Sequence, residues 1–158
     1  MSQIENPLLT ETVRKEWIDY NGHMNDSAYA IVFSMAVDQL MVELGIDGVF
    51  REKNQYSIYT LETHLCYLQE AHEDQKLRVI IQLLDYDTKR MHVFFTMEND
   101  NGERLATSEQ MLMGMDMENS RPSPFPSDIQ AKIEKLGELY QDCPKPNEAG
   151  RKIGIRKK

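Results

Sequence analysis

The chain is poor in cysteine, has no long apolar run and carries no excess of positive charge. Each shortage excludes something. Two cysteines in 158 residues, Cys66 and Cys143, lie outside any C-x-x-C pair. They are too few for a disulfide scaffold, and a reduced, cytoplasmic compartment is the default reading. The longest apolar stretch is six residues, Ala28 to Phe33, too short for a membrane helix. The opening MSQIENPLLTET lacks a basic region followed by an apolar core, so no secretory signal is expected. Eighteen basic residues stand against 26 acidic ones, a net charge of −8. Five of the basic residues crowd into the last eight positions, RKIGIRKK, which leaves 13 against 26 on residues 1–150. A body that acidic repels nucleic acid and anionic membrane, and it attracts a cationic ligand. There is no Ser nucleophile elbow, P-loop, dinucleotide fingerprint or zinc-binding His-Glu motif, so no metal or resident cofactor is expected.

What is present suits a single globular unit with a core of ordinary size, since 41% of the residues are hydrophobic. A short strand is expected over 8–13, after frayed first residues. The polar stretch EWIDYNGHMND follows, and its Asn-Gly step reads as a turn. A helix is expected over 26–44, with Asn25 or Asp26 able to cap its start and Gly45 to end it. Ala28, Tyr29, Ile31, Val32, Phe33, Met35, Ala36 and Val37 leave its first three turns almost no polar face. Other structure must wrap such a helix, or it must sit in an interface.

Residues 57–69, 76–86, 90–98 and 103–116 read as strands. In the third, Met91, Val93, Phe95 and Met97 share a face. In the fourth, Leu105, Thr107, Glu109, Met111, Met113 and Met115 share one, the methionines reading as adaptable packing. Ser127 with Gln130 reads as a capping box for a helix over 128–140 with an Ile129, Ile133, Leu136, Tyr140 stripe. The division is therefore a main unit over 1–126, a peripheral helix over 127–142 and a basic tail over 143–158, whose last eight residues read as a solvated, mobile terminus. One apolar helix followed by a strand meander is an α+β arrangement, the hot-dog fold, in which a curved antiparallel sheet wraps a central helix. Two such sheets joined edge to edge hide an exposed strand, so a homodimer or a dimer of dimers is expected.

The segment from Trp17 to Asn25 carries the most chemistry. It packs a carboxylate, an imidazole and two amides just ahead of the helix. The first N–H groups of a helix are unpaired and partly positive. A thioester carbonyl placed there gains an oxyanion site. Asp19 is positioned to attack that carbonyl or to activate water, and His23 and Asn25 to orient water or donate to the oxygen. The same residue types are also what an ordinary turn and helix cap require.

The pattern Asp19-x-Asn21-Gly22-His23-Met24-Asn25, with Tyr29 four residues on, resembles the signature of hot-dog thioesterases in the 4-hydroxybenzoyl-CoA thioesterase superfamily. Plant acyl-ACP thioesterases carry a similar Asp-x-Asn-x-His. The resemblance implies catalytic roles for Asp19, Asn21 and His23. The segments EWIDYNGHMN, YTLETHLCYLQE, LLDYDTKRMHVF and ATSEQMLMGMD further resemble the betainyl-CoA thioesterases of carnitine breakdown, domains of which are fused to some L-carnitine dehydrogenases. That implies hydrolysis of an acyl-CoA, betainyl-CoA first. The alternatives are another short-chain or aromatic acyl-CoA, or a non-catalytic module that binds acyl-CoA.

Glu62 is a second candidate, because a mid-strand carboxylate is disfavoured unless exposed or useful. The acyl-ACP thioesterases, which use a strand carboxylate, suggest that it activates water or holds the substrate cation. On alternation it shares a face with Ile58, Thr60, His64 and Cys66. A quaternary ammonium is held by carboxylates and aromatic faces, and Trp17, Tyr20, Tyr29, Tyr59 and Tyr67 are candidate walls. Lys89, Arg90 and Arg121, near expected loops, are candidates for the CoA phosphates.

Overall fold

Asn25 starts the longest helix, α1 (Asp26–Leu44), by accepting the Ala28 N–H on its side chain. Gly45 ends it by taking φ of +92°, a left-handed conformation that glycine adopts without a Cβ clash. These elements come from a computed structural model that describes residues 6–157. The fraying expected of the first residues falls at positions outside the described ones.

Around α1 run β1 (Leu9–Thr12), β2 (Tyr56–Tyr67), β3 (Lys76–Tyr86), β4 (Arg90–Glu98) and β5 (Arg104–Asp116), all antiparallel in the order β1-β3-β4-β5-β2. A two-residue β6 (Arg121–Pro122) adds to β5, and α3 (Ser127–Tyr140) packs on β3 and α1. A short helix, α2 (Gly48–Asn54), capped by Asp47, was not expected from the pattern. The fold is the expected hot-dog. By length and composition α1 would cross a bilayer. Here Ala28, Val32, Phe33, Ala36 and Leu40 are instead buried against the sheet.

The wrapping of α1 is incomplete. Ala30, Ile31, Ser34, Asp38 and Val42 form an exposed stripe along it, with Ile31 47% and Val42 52% exposed. Beside this stripe in sequence order comes β2, which closes one edge of the sheet and exposes Tyr59 and Leu61. The helix is therefore wrapped on most sides and open on one.

Two strands depart from simple alternation. In β4, Met91, Val93, Phe95 and Met97 all point inward, as expected. In β5 the faces are reversed: Ala106, Ser108, Gln110, Leu112 and Gly114 are buried, while Met111, Met113 and Met115 are only half-buried on the outer face. At position 114 the inner face has no room for a side chain. A Cβ at Gly114 would already run into the Tyr56 ring and the Ser123 carbonyl. In β2 a bulge at Leu61 breaks the expected shared face. Thr60 sits opposite the buried Leu112, whereas Glu62 sits opposite the outer Met111. Glu62 thus keeps His64 and Cys66 as face-mates and loses Ile58 and Thr60.

The C-terminal part is also corrected. Pro126 occupies the cap position of α3 without a side-chain cap bond, so the Ser127–Gln130 capping box does not form. The helix itself turns its expected stripe inward, with Ile129 and Ile133 fully buried. The tail is not free along its length. Gln82 donates to the Pro144 carbonyl at 3.2 Å, Arg104 grips Glu148 with two nitrogens at 2.7 and 3.1 Å, and the Gly150 N–H donates to Glu109 at 2.8 Å. It lies across the outer face of the sheet, and only 151–157 are exposed throughout.

Candidate active site

The loop ahead of α1 is tied at its base and turned tightly at its tip. Trp17, buried and with the Arg14 guanidinium 4.8 Å above its ring, offers its carbonyl to both the N–H and the Nδ2 of Asn25 at 2.9 Å. Ile18 bridges Met24 in antiparallel fashion. Within this clasp the Asp19 N–H donates to the His23 carbonyl and the Gly22 N–H donates to the Asp19 carbonyl, both at 3.0 Å. Gly22 takes φ of +79°, which a side chain would resist. The Asn21 N–H donates to Asp19 Oδ1 at 2.9 Å. One carboxylate oxygen is thereby oriented by the turn, and the side chain is half-buried.

Asn25 has a different task from the one its position suggests. Its Oδ1 accepts from the Ala28 N–H and the Ser27 hydroxyl, and its Nδ2 is spent on Trp17. The Ser27 N–H is in turn taken by Asp26 Oδ1 at 3.0 Å. Asn25 joins the loop to the helix, with one of its two Nδ2 hydrogens given to Trp17, and two of the leading amides already have side-chain acceptors.

The loop also reaches across to the segment after β2. The Met24 N–H donates to the Ala71 carbonyl at 2.8 Å, and His23 Nε2 lies 3.1 Å from Glu70 Oε2. The His23 and His72 rings meet edge to face at 5.0 Å. His23, Glu70 and His72 form one group of metal-ligand types whose donor atoms all fall within 4.8 Å of one another.

Here a cavity of about 290 Å³ opens, lined by Met24, Asp26, Tyr29, Tyr67, Leu68, Gln69 and Glu70. The two tyrosine rings stand edge to face, 5.2 Å apart at 86°. Tyr29 donates its hydroxyl to the Gln69 carbonyl and Tyr67 to the Asp26 carbonyl, each at 3.2 Å. Burial pushes both phenols above their ordinary pKa, with Glu70 adding to the effect on Tyr29 and Asp26 to that on Tyr67. Both rings are therefore neutral hydrogen-bond donors at neutral pH.

Of the candidates named from sequence, Trp17, Asp19, Asn21, His23, Asn25, Tyr29 and Tyr67 come together at this end of the sheet. Tyr20 is beside them in sequence but 97% exposed at the loop tip. The others lie elsewhere in the protomer. Glu62 pairs with Met111, and Tyr67 with Ala106, which sets Glu62 about 17 Å further along the sheet. It lines a separate outer-face cavity of about 330 Å³ with His64, His92, Glu109 and Arg151. Tyr59 is exposed on the edge strand. Lys89 and Arg90 lie at the β3–β4 turn, where Arg90 is held by Asp87 at 2.6 Å. Arg121 is paired to Asp116 in β6. Since Arg90 pairs with Met113, that end is about 23 Å along β5 from Ala106. Asp26 and Glu70, which face the cavity, were not singled out from sequence. Nothing in the pattern brings position 70 to position 26, because the fold alone joins them.

Comparison with known proteins follows the same line. A family model described as the thioesterase-like superfamily matches residues 13–133. A betainyl-CoA thioesterase from Pseudomonas aeruginosa is 39% identical in an alignment of 160 positions that covers 98% of each chain. An L-carnitine dehydrogenase/betainyl-CoA thioesterase from Rhizobium meliloti is 36% identical over 95% of this chain, but over only 30% of that longer protein. A Staphylococcus aureus protein solved in complex with CoA superposes with a TM-score of 0.90 at 32% identity, covering 99% of both chains.

Proposed function

The chain belongs to the thioesterase-like superfamily and is a thioester hydrolase. From that premise we propose that it cleaves betainyl-CoA to glycine betaine and CoA in the breakdown of carnitine. The observation that carries this reading is 39% identity to a betainyl-CoA thioesterase in an alignment that covers 98% of each chain.

Asp19 is the group assigned to open the thioester. Its carboxylate either adds to the carbonyl carbon or takes a proton from the water that does so. In both routes the tetrahedral oxyanion collapses, the C–S bond breaks, and the CoA sulfur leaves as thiolate and takes up a proton; in the first route water then adds to the acyl–Asp19 anhydride, and the acid is released as the Asp19 carboxylate is restored. The Asx turn supports this role, because the Asn21 N–H fixes one Asp19 oxygen and orients the other. His23, held on Glu70, and Asn21 at the turn complete the polar rim as positioning residues.

The proposal includes a homodimer formed on the edge of β2. Tyr59 and Leu61 on that strand and Ile31 and Val42 on α1 are exposed apolar groups that a second copy would cover. Two-fold pairing of antiparallel edges sets opposite sheet ends side by side. A second copy would then bring its Lys89, Arg90 and Arg121 toward the Asp19 end of the first, where CoA phosphates need cations. We place the reaction in the cytoplasm, in keeping with two unpaired thiols.

A thiol-release assay with betainyl-, acetyl-, butyryl- and benzoyl-CoA tests the substrate. The reading requires kcat/KM for betainyl-CoA to exceed the others by about tenfold or more. Benzoyl- or butyryl-CoA in the lead would overturn it in favour of another acyl group. Saturable binding of all four without thiol release would leave an acyl-CoA-binding module.

A further inference from the structure

We infer that the cavity beside the start of α1 is the seat of the substrate's quaternary ammonium, with Asp26 and Glu70 as the residues that select a cationic acyl group. The inference rests on the betainyl-CoA reading and adds the site that reading lacks.

Three features make the cavity suitable. First, its charge has the right sign. A helix start contributes about half a positive charge, whereas Asp26 and Glu70 bring two carboxylates to the same rim. His23 touches Glu70 through one oxygen, and Asp26 Oδ1 meets a backbone N–H rather than a cation. The balance is negative. Second, its walls are aromatic and fixed. The Tyr29 and Tyr67 hydroxyls are anchored on backbone carbonyls and the rings pack edge to face, so buried Tyr29 braces half-exposed Tyr67, whose ring is open to a trimethylammonium, which has no N–H to donate. Third, its place fits the substrate. In a betainyl thioester the cationic nitrogen and the reacting carbonyl are one methylene apart. A seat for the cation must therefore adjoin the reacting group. The loop that carries Asp19 meets this cavity through His23 on Glu70 and through Met24, which lines it.

The other His–Glu cavity, on the outer face, lacks these features. It contains no aromatic wall, and Glu109 there is satisfied by His92 and the Gly150 N–H.

The test compares betainyl-CoA with its neutral isostere tert-butylacetyl-CoA, in which carbon replaces the nitrogen. The ratio of the two kcat/KM values isolates the cation. The wild-type enzyme is expected to favour betainyl-CoA by about a hundredfold. Asp26→Asn and Glu70→Gln are each expected to lower the ratio about tenfold, and together to bring it near unity. Tyr67→Phe should retain the preference and Tyr67→Leu should reduce it, because the ring and not the hydroxyl faces the cation. Equal losses on both substrates in the carboxylate variants would mark a structural role and overturn the inference while leaving the betainyl-CoA reading intact. A wild-type enzyme that releases no thiol from betainyl-CoA would overturn both. Thermal melts of each variant, with the tert-butyl substrate as internal reference, separate misfolding from lost selection.

Discussion

Histidine lies beside glutamate at two places on this molecule, His23 with Glu70 at 3.1 Å and His92 with Glu109 at 2.7 Å. The side-chain types are the same, and each pair borders a cavity or its rim. Their surroundings differ. At the helix start the pair joins a catalytic-type loop to a hollow walled by two tyrosines and open to solvent, with Tyr67 half exposed. On the outer face the second oxygen of Glu109 is occupied by a backbone N–H of the tail, and the tail runs across the opening. A pair whose hydrogen-bonding capacity is met by its own chain is part of the framework. A pair that fixes a loop and leaves a hollow beside it is equipped to receive something. The inventory of reactive residues would rank both alike.

The largest expected effect falls at the first place. Asp19→Asn keeps the shape of the turn and the acceptor for the Asn21 N–H but removes the charge. Turnover should fall about 10²–10⁴-fold with an unchanged melting profile. Near-normal thiol release by this variant would move the reacting carboxylate elsewhere, and Glu62 would then be the next to examine.

Asn25→Ala acts on the same region through stability. It removes the cap on Ala28 and the Nδ2 link to the Trp17 carbonyl, and leaves the backbone link between the same two residues in place. Loss of about 1–2 kcal/mol is expected, read as a drop in Tm of roughly 2–8 °C for a chain of this size. Turnover should fall with it by about tenfold or less. A variant that is fully active and equally stable would mean that the clasp does not hold the loop.

Glu62→Gln sharpens the comparison from the other side. A residue on the outer face of one protomer, far from the Asp19 loop, should alter kcat by no more than about threefold. A loss as large as that of the Asp19 variant would break the distinction, and would place Glu62 in a site completed by a second copy.

The smallest effect concerns the tail. The Arg104 guanidinium holds Glu148 below the usual carboxylate range. A carboxylate whose folded pKa is depressed adds stability above its unfolded pKa and loses it as pH falls through the folded value. The Arg104–Glu148 clamp should therefore hold at neutral pH and release in acid, below the ordinary glutamate range of about 4. Limited proteolysis over 143–157 at falling pH reads this directly. Cleavage that is equally fast at neutral and acid pH would show that the clamp does not hold the tail.

The legibility of the chain followed the range of the forces involved. The limits of α1 were readable because Asn25 and Gly45 act on neighbours within one turn. The faces of β4 were readable because large apolar residues alternate with polar ones. The faces of β5 were not, because Tyr56 and the Ser123 backbone occupy the space over Gly114. That crowding holds position 114 to glycine, and the pairing with β4 sets Met111 and Met113, and by alternation Met115, on the outer face. The bulge at Leu61 is equally silent in sequence, yet it decides which side Glu62 faces. The tail looked solvated from its composition, and its anchors on Gln82, Arg104 and Glu109 come from residues 41 to 62 positions away.

By itself, then, the order of residues determined the helix, the strands, the turn that orients Asp19 and the family of folds they build, since each depends on hydrogen bonds and hydrophobic spacing over a few positions. Only the folded chain decided which carboxylates share a hollow. Asp26 and Glu70 are separated by two helices and a strand in sequence, and they meet because the Met24–Ala71 contact closes the loop onto the sheet. Electrostatic and aromatic contacts act through space, and a linear pattern does not record distances of that kind.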